Sequence, residues 1–466
     1  MNEASFKPRL GLWDATMIVS GGMIGSGIFI VSAEIVRNVG SSGWLVMVWL
    51  LAGFMTLAAS VSYGELSGMF PKAGGQYIYL KEAFGSLTAF LFGWSLFTVI
   101  QTGTIAAVGV AFSKFLAYLV PGVSEDRILL DLGFVRISPA QVVSIFIIVL
   151  LTAINTRGVQ GSKVIQNIFT VTKLASLFGL ILFGFLLMKP AVWEANWAHG
   201  WDLHQLINKE GSVRTYTTFA AFGAIASAMV GSIFSSDSWN NVTFIAGEIR
   251  NPKRNIGLSL FLGTLIVSVI YASANLMYTA VLPSADIAFA AKDRVAVAAA
   301  NVIFGNIGTM VIAVMIMVST FSCNNGLILA GARVYYAMSK DGLFFHRAGE
   351  LNRFSVPQQA LWVQCILASI WCLSGRYIDL LNMVAFVVIV FYVLTIIGIF
   401  VLRKKMPDAE RPYKAFGYPF LPIFYVIMGT AFCTLLIIFQ PVYTRGGLIV
   451  ALIGIPVYYI AMRSRK

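Results

Sequence analysis

Charge is what this sequence has least of: Asp, Glu, Lys and Arg make up only 11% of its 466 residues, while 58% are hydrophobic. A soluble core could not bury so much apolar surface, and the mean hydropathy of +0.82 points the same way. Cysteine is also scarce. Cys323, Cys365, Cys372 and Cys433 all lie in apolar segments, none in the larger expected external loops, so no disulfide framework is implied. A nucleophile elbow, a P-loop and any cluster of carboxylates are all missing, which argues against an enzyme and against a bound cofactor. His199, Asp202 and His204 have loosely metal-like spacing, but they share one loop without support and read as solvated; no metal site is expected. No loop is long enough for a separate soluble domain, so the function must reside among the apolar segments.

Those segments number about twelve, near residues 12–36, 43–68, 84–119, 138–155, 164–188, 217–247, 256–281, 299–335, 358–375, 379–402, 418–440 and 446–462. The first is too long for the apolar core of a signal peptide and has no evident cleavage site after it, so it counts as a membrane span. The net charge of +13 is spread through short loops rather than massed on one face, which fits membrane topology better than nucleic acid. Lys7, Arg9, Lys72, Lys81, Arg157, Lys163, Arg250, Lys253, Arg254, Arg333, Lys340, Arg347, Arg353, Arg403 to Lys405, Arg411, Lys414 and the tail from Arg463 fall on one side. Both termini are therefore expected to be cytoplasmic, in the plasma (inner) membrane.

Span one carries "GGMIGSGIF", residues 21–29, at mid-depth. Five spans later, span six carries "FSSDSWNN", residues 234–241, which is also rich in residues that compete with helical hydrogen bonding. Paired interruptions at corresponding places are the mark of an inverted-repeat transporter whose broken helices line a central site. Unwinding frees backbone groups, tolerable in a bilayer only where protein or a polar ligand satisfies them. A half-helix starting near Ser26 and Gly27 offers N–H groups and a positive dipole end to a carboxylate. Carbonyls near Met23, Phe234 and Asp237 suit an ammonium group. A ligand with both groups on one carbon is an α-amino acid, and a glycine such as Gly25 or Gly27 lets it approach the backbone. The competing reading takes Gly21-x-x-x-Gly25 as a close-packing motif between helices.

At these residues the chain resembles a known family, the amino acid–polyamine–organocation permeases, and most closely their L-type amino acid transporter branch. The likeness rests on "GSGIF" at 25–29, "FPKAGGQYIYLKEAFG" at 70–85, "FTVTKLASL" at 169–177, "GEIRNPKRN" at 247–255 and "GARVYYAMSKDGLF" at 331–344, in order along nearly the whole chain. The resemblance implies an all-α membrane protein of the LeuT type in a single domain. It would have two inverted five-helix repeats, about 12–188 and 217–402, and two extra helices within about 418–462. It implies that the N–H groups of Ser26 and Gly27 hold the substrate carboxylate and that the Met23, Phe234 and Asp237 carbonyls hold the ammonium. The Phe234 ring would be an external gate and Asn240 a secondary polar contact. Two departures stand out: Asp237-Ser238-Trp239 replaces a common D-G-W or G-G-W, and Gly257 follows Ile256 where relatives often have Pro. Eukaryotic relatives have a cysteine for a heavy-chain partner in the loop after span three; "PGVSEDRILLDLGFVRI" has none, so no disulfide-linked partner is expected.

Three buried charges complete the reading. Lys173 lies about nine residues into span five, roughly 14 Å along the axis, too deep to snorkel easily. It reads either as a structural cation on carbonyls of a neighbouring helix or, by the resemblance, as a substitute for a sodium ion between spans one and five. Sodium coupling is then not expected; a lysine that released its proton during the cycle would couple transport to protons instead. Asp237 is costly at mid-membrane, about 2.5 to 3.5 kcal/mol on insertion scales, and either faces the pocket or caps the second half of span six. Glu65 reads as part of a closing network, and Lys114 as a snorkelling residue. The function expected is sodium-independent exchange of small α-amino acids by alternating access, with proton-coupled uptake and a non-transporting sensor as the alternatives.

Overall fold

The computed structural model describes residues 8–131, 136–374 and 377–463, without the side chains of 159–165, 374–379, 443 and 463. Lys7 and residues 464–466, used in the charge count, lie outside the described residues, as do the side chains of Lys163 and Arg463. Among the described residues, ten helices are long and apolar enough to cross a membrane. The shorter apolar helices Pro139–Asn155 and Gln358–Leu373 bring the total to the twelve expected. The fold is all-α; among the described residues the only strands form two small hairpins, Leu130–Asp131 with Arg136–Ile137 and His204–Leu206 with Val213–Thr215, and one isolated bridge joins Leu10 to Ile249.

Span one is Leu12–Met23, then Gly27–Ile30 and Ser32–Val39; Val31 between the last two keeps right-handed dihedrals (φ −71°, ψ −17°), so the outer half is one helix in direction. Spans two to five are Ser42–Met69, Ser86–Leu119, Pro139–Asn155 and Val159–Leu186. Span six is Thr218–Ser235 followed by Asn241–Phe244. Spans seven to twelve are Pro252–Val281, Val295–Lys340, Gln358–Ser374, Tyr377–Lys405, Phe420–Phe439 and Pro441–Arg463. Local sequence explains several boundaries. Span four starts with a capping box, Ser138 and Gln141 exchanging hydrogen bonds, ahead of Pro139 at the first helical position. Span seven also has Pro252 at its first helical position, without a side-chain cap, and Gly257 packs beside Gly64 of span two. Gly305 (φ 68°) kinks span eight into two helical stretches, the first starting at Val295, before the apolar run. Span three contains a π turn, Leu96–Ile100, where the Thr102 hydroxyl donates to the Phe97 carbonyl at 2.8 Å.

Burial separates centre from rim. In span one 89% of the apolar window is buried, in span twelve 11%, so the broken span is the core and the last span faces lipid. One end of the bundle, the basic end, is closed by ion pairs. Glu65, fully buried, accepts from Arg403 at 2.9 and 2.6 Å and from the Ala415 N–H at 2.7 Å, with Arg411 at 3.4 Å. Buried Arg333 pairs with Glu248 at 3.0 Å, and Lys81 with Asp341 at 2.7 Å. At the opposite end Arg37 joins Glu34 and Asp293, each at 2.7 Å, and Lys114 reaches Asp293 at 3.9 Å rather than solvent alone.

Candidate functional site

The first half of span one stops because its chain turns at Ile24 (φ −76°, ψ 83°), and Gly25 N–H folds back onto the Met23 carbonyl at 2.8 Å. The helix resumes at Gly27. Residues 21–29 are thus not a continuous helix, and the carbonyls that end the first half must find donors elsewhere. They find them on three other spans. The Lys173 ammonium donates to the Gly21 and Ile24 carbonyls at 2.5 and 2.8 Å. Ser319 donates to Ile24 at 3.1 Å, the Cys323 thiol to Gly22 at 3.1 Å, and the Tyr271 hydroxyl to Met23 at 2.8 Å. Close packing also contributes, as the competing reading had it. A Cβ at Gly27 would stand 2.6 Å from the Ser235 Cβ and overlap its Oγ, so only glycine lets the two breaks touch.

Span six breaks differently. Ser236 N–H still reaches back to the Ser232 carbonyl at 3.0 Å, Asp237 N–H to Phe234 at 3.2 Å, and Asn241 N–H to Ser238 at 3.2 Å. Ser238 itself has φ 69°, the left-handed region where glycine is at ease. The departure from D-G-W therefore leaves a serine in a glycine-like conformation. Tyr271 spans both breaks: the hydroxyl that reaches Met23 lies 3.1 Å from the Ser235 carbonyl as well. One hydroxyl has one proton, so it serves the two carbonyls as a shared clasp.

The residues singled out in the sequence are all buried in this region. Met23, Ser26, Phe234, Asp237 and Asn240 are each at most 8% exposed, and Gly25 and Gly27 are buried as well. Their partners are in part other than expected. The Met23 carbonyl already has two donors, Gly25 N–H and Tyr271, so an ammonium arriving there must share it or displace the hydroxyl. Asp237 does not cap the next helix turn, whose N-cap is Asn240 without a side-chain cap bond; its carboxylate accepts from the Tyr392 hydroxyl of span ten at 2.5 Å. The Asn240 amide donates to Gln76 at 3.0 Å. Beside them a cavity of about 10 Å³, roughly the room one water needs, is lined by Gln76, Gln101, Asp237, Asn240, Asn241 and Tyr392 among others. His199 pairs with Asp202 at 3.1 Å in an exposed loop, and among the described residues no group of His, Cys, Asp or Glu could hold a metal ion. All four cysteines are free thiols.

Two interrupted helices thus bring their broken ends together in one buried centre. The profile of the amino acid permease family matches residues 10–461. The chain belongs to that family. The permease is 29% identical to the serine/threonine exchanger SteT of Bacillus subtilis over 100% of this chain and 99% of that protein. It is 28% identical to the human large neutral amino acids transporter small subunit 2 over 98% of this chain and 81% of that one. With the mouse Asc-type amino acid transporter 1 it shares 27% identity over 100% of this chain and 83% of the other. The family and these relatives are transporters, and the permease is a multi-pass membrane protein.

Tyr271, Tyr392 and Gln76 escaped the sequence reading of the permease. Their only signal was chemical: tyrosines and an amide placed in or beside apolar spans must find partners when buried. Which partners they find depends on helix rotations that hydropathy does not encode.

Proposed function

We propose that the permease exchanges small α-amino acids across the plasma membrane by alternating access, without sodium, with its basic end and both termini in the cytoplasm. The substrate carboxylate is held by the first N–H groups of the helix beginning at Ser26 and Gly27. The ammonium is held by carbonyls at Met23, Phe234 and Asp237, with Tyr271 yielding the Met23 carbonyl as substrate arrives. Phe234 covers the substrate from outside. The observation that carries this reading is Lys173: a fixed ammonium 2.5 and 2.8 Å from the Gly21 and Ile24 carbonyls supplies in permanent form the charge that a sodium ion would otherwise bring to the break. Spans one, two, six and seven rock against the others around this centre. The protein works without a disulfide-linked heavy chain and leaves its substrate chemically unchanged.

Trans-stimulation in proteoliposomes tests the proposal. Vesicles preloaded with alanine or serine should take up labelled amino acid several-fold faster than empty ones, equally in sodium and in choline, with or without a proton gradient. Uptake that occurs only when sodium is supplied would overturn the role given to Lys173.

A further inference from the structure

The loop motif "FPKAGGQYIYLKEAFG" has no part in holding substrate, yet its geometry reaches the site. Gly74 (φ 104°) donates its N–H to the Phe244 carbonyl at 3.0 Å, in the second half of span six. A Cβ there would stand 2.8 Å from the Ala337 Cβ of span eight. Gly75 (φ 44°) lies so close to span six that a Cβ would be 2.8 Å from the Thr243 carbonyl carbon. The two glycines thus let the loop press against spans six and eight, and the helix Gln76–Phe84 begins beneath the span-six break. Tyr77 and Lys81 moor that helix to Asp341 at 2.8 and 2.7 Å.

Gln76 is fully buried there, and its amide is used at both ends. Its Oε1 accepts from Asn240 of span six at 3.0 Å, and its Nε2 donates to Thr395 of span ten at 3.0 Å. Thr395 lies three residues from Tyr392, the donor to Asp237. Two layers of hydrogen bonds therefore tie span six to span ten between the candidate site and the basic end, and the cavity between them is about 10 Å³. No amino acid could pass without parting them.

We propose that Gln76 is a positioning residue: its amide, bridging Asn240 and Thr395, holds the exit at the basic end shut and sets how the permease divides its time between its two open states. The inference rests on the transporter reading. A hydrogen bond between buried groups is worth about 0.5 to 1.5 kcal/mol net, and weakening the closed side raises the fraction of molecules open there. The apparent affinity at that face improves by the same factor and falls at the other.

Half-saturation for exchange of the best substrate in the trans-stimulation panel is measured separately at each face of oriented vesicles. Gln76→Leu and Thr395→Val should each lower it at the basic-end face and raise it at the other, changing the ratio about three- to tenfold, the span that this bond energy allows. The double variant should change it no further than either single one. Thr395→Ser keeps the hydroxyl and should match the wild type. If Gln76→Leu fails to fold, Thr395→Val with Thr395→Ser carries the test alone. Equal changes at both faces, or an unchanged ratio in Thr395→Val, overturns the proposal. A wild-type protein without exchange would instead overturn the transporter reading on which it rests.

Discussion

The two broken spans solve one problem in opposite ways. In span one the orphan carbonyls are satisfied from outside, by Lys173, Tyr271, Ser319 and Cys323 on spans five, seven and eight. In span six the turn is closed mainly by its own backbone, with Ser238 taking a left-handed conformation and Tyr392 steadying the Asp237 side chain. The difference teaches where each break is vulnerable. Span one depends on remote side chains that can let go; span six depends on local conformation. In the proposed mechanism both broken spans belong to the moving bundle, and span one is the one whose bracing would be exchanged for ligand contacts.

The largest test of this contrast is Lys173→Met. It removes the donor to two buried carbonyls, and although Ser319 still reaches Ile24, Gly21 loses the only side-chain donor observed among the described residues. With buried orphan groups costing about 1 to 3 kcal/mol each, exchange should fall about 100-fold, measured as initial rate per folded protein. A loss under about threefold would mean that span one does not need this brace. Tyr271→Phe should act next, because it opens the clasp between Met23 and Ser235 without changing the ring. Substrate half-saturation should fall by up to about tenfold, because the ammonium no longer competes with the hydroxyl for the Met23 carbonyl; a rise would show that the hydroxyl does not yield to substrate. Ser238→Gly should do least. It relieves a left-handed serine worth about 1 kcal/mol and should raise the unfolding temperature by about 1 °C while leaving exchange intact; a fall in stability would show that the serine side chain, not its backbone, holds the turn.

How much of this was legible in the sequence follows the same divide. The places of both breaks could be read, because helix-weakening residues are local signals: Gly25, Ser26 and Gly27 in one span, Ser235 to Ser238 in the other. Lys173 could be read because a cation nine residues into an apolar span has few alternatives. The twelve spans followed from hydropathy, although the π turn in span three and the kink at Gly305 did not, since both conserve apolar composition. Tertiary partners were not legible. Nothing in the string says that Tyr271 faces Met23, or that Asp237 meets Tyr392 155 positions later; such pairings depend on helix rotation and tilt. Gln76 sat inside a motif already noticed, yet its reach to Asn240 required knowing how deeply the two glycines before it let the loop sink.

The central claim is that main-chain groups at the two breaks recognise both charged ends of one α-carbon. It is tested most directly by competition in the exchange assay with a set of alanine relatives: alaninol, which lacks the carboxylate, and N-acetylalanine and propionate, which lack the ammonium. The account predicts that alanine competes and that each relative loses at least about 100-fold in apparent affinity, roughly 2.7 kcal/mol for a charge-assisted contact set. Competition by alaninol or N-acetylalanine on a par with alanine would contradict it.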